Sequence, residues 1–499
     1  MKIHEFISLI LDRFGFEPTA DQMNALQCFG QFLASRDEMP MMLMRGSAGT
    51  GKTSLVAAMV QTLVSLHQKV VLMAPTGRAA KVLSISSSLP ASTIHRKIYR
   101  QKTMLGDFNL NDNLHTDTLF VIDEASMIST FSMGETGFGS GNLLDDLIQF
   151  VYSGRNCRML LIGDTAQLPP VGEDKSPALI PEILYGYGAT LYECDLTEVL
   201  RQEQESGILY NATAIRSLIQ YEEATELPKL RFRGFSDIIS LPGNEIIDTL
   251  SSSYSRVGID DTIVITRSNK NATIYNNGIR AQVLDREELL ERGDQVMIVK
   301  NHTLPTQNST PSTQNPKLST LNPKPSTLNT QQPSTLNTQQ PSFIANGDKA
   351  IVVRVRNFRE LYGFHFADAI LRFPDYDDFE LDTIVLTDTL QSDAPALTQE
   401  QNNALFKAIE EDYADIPRKA DRMKAIREDA YFNALQIKYA YAVTCHKAQG
   451  GQWSHVYIDQ GYMTDDMLTP DYIHWLYTAI TRGKERVYMV NWRKEQTQL

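Results

Sequence analysis

The chain has 499 residues, 42% of them hydrophobic, with a formal net charge of −13. That length exceeds one ordinary core and predicts two to four domains, while the acidic balance votes weakly against nucleic-acid binding and leaves room for a local basic groove. No apolar run is long enough to span a bilayer and no signal peptide is visible; the four cysteines, Cys28, Cys157, Cys194 and Cys445, form no CxxC pair, which predicts a reduced, cytoplasmic setting, no membrane and no structural metal.

In chain order, Met1 to Arg13 patterns as an amphipathic helix. Met41 to Met44 is a short apolar run, followed by Gly46-Ser47-Ala48-Gly49-Thr50-Gly51-Lys52-Thr53 and a helical stretch from Ser54 to Leu66. This is G-x-x-x-x-G-K-[ST] between a strand and a helix, the context that makes the pattern specific. Gly46, Gly49, Thr50 and Gly51 belong to a loop whose backbone N–H groups face phosphate oxygens, and the helix N-terminus adds its positive end. Lys52 is expected at the β and γ phosphates, and the Thr53 hydroxyl on Mg²⁺. The pattern predicts a nucleoside triphosphate.

"TLFVIDEAS", Thr118 to Ser126, reads as a second buried strand ending in acids. Adjacent carboxylates at a strand tip are costly unless a cation compensates them. Asp123 is therefore expected to hold the metal and Glu124 to activate water; taken alone, Asp-Glu after a strand also reads as a helix N-cap. "LLIGDTAQLPPVG", Leu160 to Gly172, is a third core strand ending at Asp164 and running into Gln167, Pro169 and Pro170. Two prolines end a strand abruptly and stiffen the segment beyond it. Ligands of such sheets bind beyond the carboxyl ends of the strands, so Gln167 is expected to sense the γ-phosphate.

From here the chain resembles the superfamily 1 helicases, in the branch of the RecD-like, Dda-like and Pif-like enzymes. Its motifs come in order, spread over most of Gln22 to Val487. Gln22 in "PTADQMNAL" resembles an adenine-reading glutamine, which implies ATP. "APTGRAAKVL" from Ala74 resembles motif Ia, and "STIHRKIY" from Ser92 resembles motif Ib. "LTEVLRQ" from Leu196 resembles the segment bearing a first arginine finger, here Arg201. "VITRSNKNATIYNNGIR" from Val264 looks like the opening of a second motor domain. "YAVTCHKAQGGQW" from Tyr441 resembles motif V, and "LYTAITRGKERV" from Leu476 resembles motif VI, with Arg482 as second finger. Gly450 in motif V is taken as a nucleotide contact, and Gln452 stands where many relatives carry Glu at the ribose. The Gln-Leu-Pro-Pro-Val run resembles the 5′→3′ branch.

The resemblance implies an α/β fold: two RecA-like parallel-sheet motor domains with a small 1B insertion and an SH3-like 2B insertion. The boundaries it suggests are 1–200 for motor domain 1A, with 84–117 as 1B; 201–285 and 436–499 for motor domain 2A; and 286–435 for 2B. "GDQVMIVKN" from Gly293 and "FIANGDKAIVVRV" from Phe343 resemble the two arms of 2B, and Asn346-Gly347 reads as a hairpin turn with positive φ. Between the arms, 303–342 holds the repeats "STQNPKL", "STLNPKP" and twice "STLNTQQP", poor in apolar and charged residues, which predicts a disordered loop. "DYDDFELD", Asp375 to Asp382, is expected to be a solvated acidic face.

Single-stranded nucleic acid needs backbone contacts and stacking surfaces. Thr76, Arg78, Lys81, Thr93 and His95 on 1A, and Thr444, His446 and Lys447 on 2A, are expected to supply them. Arg96, Lys97, Arg100 and Lys102 with Tyr99 form a short basic and aromatic patch, which as often is only a solvated face. The expected partner is single-stranded DNA and 5′-tailed duplex. An RNA helicase of the nonsense-mediated-decay type, or a DNA-clamping subunit of a recombination complex, are the rival readings.

Overall fold

The computed structural model describes residues 2–101, 108–131, 139–198, 205–221, 227–304, 343–464 and 467–498. The first part of the chain runs α1 (Ile3–Phe14), α2 (Ala20–Ala34), β1 (Pro40–Gly46), α3 (Lys52–Ser65), β2 (Lys69–Ala74), α4 (Gly77–Ser87), β3 (Ala91–Thr93), α5 (Ile94–Ile98), β4 (Tyr99–Gln101), β5 (Phe108–Leu110), β6 (Thr118–Ile122), α6 (Leu143–Ser153), β7 (Arg158–Gly163), α7 (Pro181–Gly186) and β8 (Thr190–Leu196). Six of these strands form one parallel sheet in the order β3-β2-β6-β7-β1-β8. Their apolar runs are continuous because both faces are covered. Met42, Met44, Leu119, Val121, Leu160 and Ile162 pack under α1, α2 and α3 with Phe29 and Leu55. Their neighbours Met41, Leu43, Phe120, Ile122, Met159 and Leu161 pack against α5 and α6 on the other face. Each strand thus feeds two cores by the two-residue alternation of its side chains.

The chain then runs α8 (Gly207–Tyr221), β9 (Leu230–Arg231), β10 (Ile238–Leu241), α9 (Ile246–Val257), β11 (Thr262–Thr266) and α10 (Asn269–Gly278). It leaves as β12 (Gln295–Ile298), β13 (His302–Thr303), β14 (Phe343–Ile344), β15 (Lys349–Leu361), β16 (Phe364–Phe373), β17 (Phe379–Leu386), α11 (Gln399–Asp412), α12 (Lys419–Glu428) and β18 (Leu435–Tyr439). It returns as β19 (Ala442–Thr444), α13 (Cys445–Ala448), β20 (Trp453–Asp459), α14 (Pro470–Ile480), β21 (Gly483–Val490) and β22 (Thr497–Gln498). The second parallel sheet has the order β10-β21-β20-β11-β19, and β12-β15-β16-β17-β18 close a barrel. One face of the second sheet, through Ile263, Ile265, Val456 and Ile458, packs on α8 and α14. The other face shares one continuous core with the barrel interior, from Val264 and Tyr457 to Val296, Ala369 and Ile437.

Several boundaries differ from the sequence expectation. β3 pairs with β2 and α4 runs to Ser87, so the first residues of 84–117 belong to the motor sheet; β4 and β5 form a separate two-stranded ribbon whose tip lies outside the described residues. β18 is a barrel strand, antiparallel to β12, so the second motor sheet resumes at Ala442 rather than at residue 436. Asn346-Gly347 is no hairpin turn: β14 pairs with β13 and β15 with β12, so the segment bends one continuous arm. Only Gly347 has positive φ, and its N–H donates to Ile298 O. The repeat segment 305–342 lies outside the described residues.

Candidate functional site

The phosphate loop joins β1 to α3. Gly49 and Gly51 take φ of 81° and 75°, the left-handed region that costs glycine nothing. Lys52 Nζ donates to the carbonyls of Gly46 and Ser47, folding back over the loop where phosphate oxygens would compete for it. Thr53 is exposed beside it at the start of α3. Gln22, the N3 residue of a capping box at the start of α2, is buried. Its Nε2 donates to Thr50 O at 2.9 Å and its Oε1 accepts from Thr19 N–H. It braces the loop from outside the sheet, with both ends of its amide engaged.

β6 delivers Asp123 and Glu124 to the same edge. Burial and the neighbouring Glu124 push the Asp123 carboxyl up to about 7, against the pull of Lys52. Glu124 has φ of 53°, a left-handed conformation uncommon outside glycine and recurrent at functional sites. Two adjacent carboxylates with Lys52 near enough to be felt by Asp123 suit a hard divalent cation such as Mg²⁺. Among the described residues there is no group of three or more His, Cys, Asp or Glu that could hold a metal ion.

The loop after β7 turns from the first sheet into the second. Asp164 is buried; Ala166 N–H donates to its Oδ1, and Tyr477 OH donates to its Oδ2 at 2.6 Å. Tyr477 OH also accepts from Ala48 N–H of the phosphate loop at 3.0 Å. Burial and Asp164 raise the Tyr477 phenol well above its ordinary value, so it stays a donor. Leu168 N–H donates to Thr478 Oγ1 at 2.8 Å, Gln449 Nε2 donates to Leu168 O at 2.6 Å, and His474 Nδ1 donates to Ala166 O. Ala166 and Leu168 themselves join the core of the second sheet. The stiff segment is therefore a latch between the two sheets. Gln167 is 5% exposed and its Oε1 has no partner, leaving an acceptor to spare at the seam.

The remaining nucleotide candidates are Arg201, Arg482 and Gly450. Arg201 lies outside the described residues. Arg482 is buried just after α14, where its guanidinium donates to Thr478 O, Gly451 O and Thr481 Oγ1. Gly450 faces the first sheet: a Cβ there would meet Ala79 and Thr76 Oγ1 at 2.9 and 3.0 Å, so its backbone approach, at φ of 71°, packs motif V on motif Ia rather than on the loop.

The nucleic-acid candidates divide in the same way. Thr76 and Thr93 cap α4 and α5, accepting from Ala79 and Arg96 N–H. Arg78 is committed to the second sheet: its Nη2 donates to Gln452 O and it stacks over Trp453 at 4.4 Å. Lys81 donates to Pro374 O of the barrel, with Asp375 3.9 Å away. Asp375 is thus a covered contact and not part of a solvated face. Tyr99 is buried with its hydroxyl on Asp146, so it offers no stacking surface. Beside it His95, lowered to about 4 by burial, stays neutral. On the second sheet Thr444 and Lys447 line a small pocket with Asn269, Thr273 and Lys438, and His446 is exposed next to it. No local sequence signal singles out Tyr477, Thr478 or Lys438, although the first two stand inside motif VI.

Two domain models match in the order the sheets require. The model described as an AAA domain covers residues 19–225, and the UvrD-like helicase C-terminal domain covers 439–490. Over 172 residues the chain is 32% identical to the ATP-dependent RecD2 DNA helicase of Deinococcus radiodurans, a span of 34% of this chain and 21% of that protein. It is 26% identical over 251 residues to the ATP-dependent DNA helicase dda of Enterobacteria phage T4, covering 49% of this chain and 52% of that one. Over these spans the chain is similar to ATP-dependent DNA helicases of the RecD2 and dda kind. It matches about a fifth and about half of the length of these two relatives. Among solved structures, the Pif1 helicase from Bacteroides in complex with ADP-AlF3 and ssDNA aligns over 97% of this chain and 95% of its own, at 13% identity and a TM-score of 0.45. No helix among the described residues is long and apolar enough to cross a membrane.

Proposed function

We propose that the chain is an ATP-dependent DNA helicase that moves 5′→3′ along single-stranded DNA and opens the duplex ahead of it. The observation that carries this reading is the bridge Ala48 N–H to Tyr477 OH to Asp164, which puts the phosphate loop of one parallel sheet in direct contact with a helix of the other. A nucleotide bound there is felt by both bodies. DNA as substrate is supported by the activity named for the RecD2 and dda relatives, and polarity by the Gln-Leu-Pro-Pro-Val run.

Lys52 would leave its two carbonyls for the β and γ phosphates, and Thr53 and Asp123 would hold Mg²⁺, which supplies charge neutralisation at the transferring phosphoryl group. Glu124 would accept the proton of the attacking water. Gln167, with its spare acceptor at the seam, would report the γ-phosphate to the latch through Leu168. Loss of that phosphate removes the ligand that favours the closed seam, and a two-state seam biased by a ligand is what stepping requires. Opening one base-pair step costs on the order of 1.4 kcal/mol, a small load for a cycle of hydrolysis.

The test is unwinding of a fork carrying either a 5′ or a 3′ single-stranded tail, in DNA and in RNA. Opening of the 5′-tailed DNA fork alone, with ATP and Mg²⁺, is expected. Opening of the 3′-tailed fork instead would overturn the polarity, and preference for RNA would overturn the substrate.

A further inference from the structure

Arg216 stands on α8, 169 residues from the phosphate loop in sequence, and outside every motif that carried the family resemblance. Its Nη1 donates to Ser47 Oγ, the second residue of that loop, and approaches Thr197 O at 3.5 Å. Its Nε is buried without a hydrogen-bond partner, and among the described residues no carboxylate lies within ion-pair distance of it. The helix that carries it belongs to the second sheet. Ile208, Ala212 and Ile215 of α8 pack in one core with Leu476 and Ile480 of α14. Arg216 therefore reaches the phosphate loop across the same seam as Tyr477.

A guanidinium held without a counter-ion beside a phosphate-binding loop calls for an anion, because a half-buried charge left unpaired is destabilising. Its planar fork suits the oxygens of a phosphoryl group. The arginine expected from motif VI is meanwhile sunk among neutral acceptors. We propose that Arg216 is a catalytic arginine supplied by the second motor body, which leaves Ser47 Oγ for the terminal phosphate of bound nucleotide and stabilises charge there as that phosphate transfers to water. This rests on the nucleotide-hydrolysis reading given above, and it adds a residue to the site.

The test uses the full chain as wild type, Arg216→Gln and Arg216→Lys. ATP turnover is measured with saturating oligo-dT, and binding of ADP and of ADP with aluminium fluoride is measured by displacement of a fluorescent ADP. Arg216→Gln is expected to lower kcat by about 10²-fold or more while KM for ATP moves by about threefold or less. It should bind ADP like wild type and lose the preference for ADP with aluminium fluoride. Arg216→Lys, which keeps the charge but not the fork, should fall between the two, and it serves as the probe if Arg216→Gln melts below the assay temperature. Equal weakening of ADP and of its aluminium fluoride complex would make Arg216 a clip for the loop and overturn the proposal, as would wild-type kcat in both variants. A wild-type chain that turns over no ATP would instead sink the helicase reading, and the nucleotide-binding arm would still decide what Arg216 contacts.

Discussion

Lys447 shows how a single residue is prepared for an anionic ligand. Burial, with Lys438 beside it, lowers its ammonium to about 8 from the ordinary lysine range. Both lysines line the pocket with Asn269, Thr273 and Thr444, so two cations face one small space. Such a pair is unfavourable alone and is relieved by a phosphate, as a single-strand track would provide. This fixes the sign of the pH dependence. Below about pH 8 the amine is charged and ready for DNA; above it, binding must first take up a proton. Affinity for oligo-dT at fixed salt should therefore fall as pH rises from 7 to 9, by up to about tenfold per unit beyond pH 8. Lys447→Arg keeps its charge throughout this range and should flatten the profile. Fluorescence anisotropy titrations at several pH values decide this, and an unchanged fall in Lys447→Arg would place the titrating group elsewhere.

The segment from Asp164 to Pro170 carries the argument at the scale of elements, since it begins as a strand end of one sheet and finishes inside the core of the other. Thr478→Val would leave Leu168 N–H buried without its acceptor, at a cost of about 1–3 kcal/mol. Phosphate binding is made by other elements, so ATP affinity should hold while DNA stimulation of ATP turnover falls by about 5- to 150-fold, the range of a typical coupling energy. Wild-type stimulation in Thr478→Val would show that this bond carries no signal. The same physics sets how far the elements were legible in sequence. The runs at Met41, Leu119 and Leu160 announced buried parallel strands because both faces of each strand are apolar. The end of the barrel was not legible: "LQIKYAYAVT" changes from β18 to β19 within a few residues, with no turn signal or change of pattern. Asn346-Gly347 carried a true hairpin signature, but pairing of β13 with β14 on the far side of it used the glycine for a bend. Thr76 and Thr93 stand at motif positions, and in the structure both cap helices. Tyr477, Thr478 and Arg216 act across separations that local patterns do not encode.

At the scale of the whole molecule, the three bodies meet over motif Ia. Arg78 ties the first sheet to the second, and Lys81 ties it to the barrel. The barrel core runs into that of the second sheet, so these two are expected to move together against the first. The residues that flank the repeat segment meet at one place. His302 and Thr303 pair with Ile344 and Phe343, so the chain leaves and returns through adjacent rungs of one ladder. Closing a loop there depends only logarithmically on its length, and shortening it by roughly an order of magnitude should alter stability by about 2 kcal/mol at most. The deletion should therefore remove 305–342 and join Leu304 to Phe343 through a short Gly/Ser turn, which keeps the Thr303–Phe343 rung that a cut at Thr303 would lose. The barrel should stay closed, with thermal unfolding unchanged or slightly raised, and both ATP turnover and unwinding of a 5′-tailed fork should remain near those of the full chain. If unwinding collapses while ATP turnover persists, the repeats contribute to strand separation and their low-complexity composition is no guide to their role.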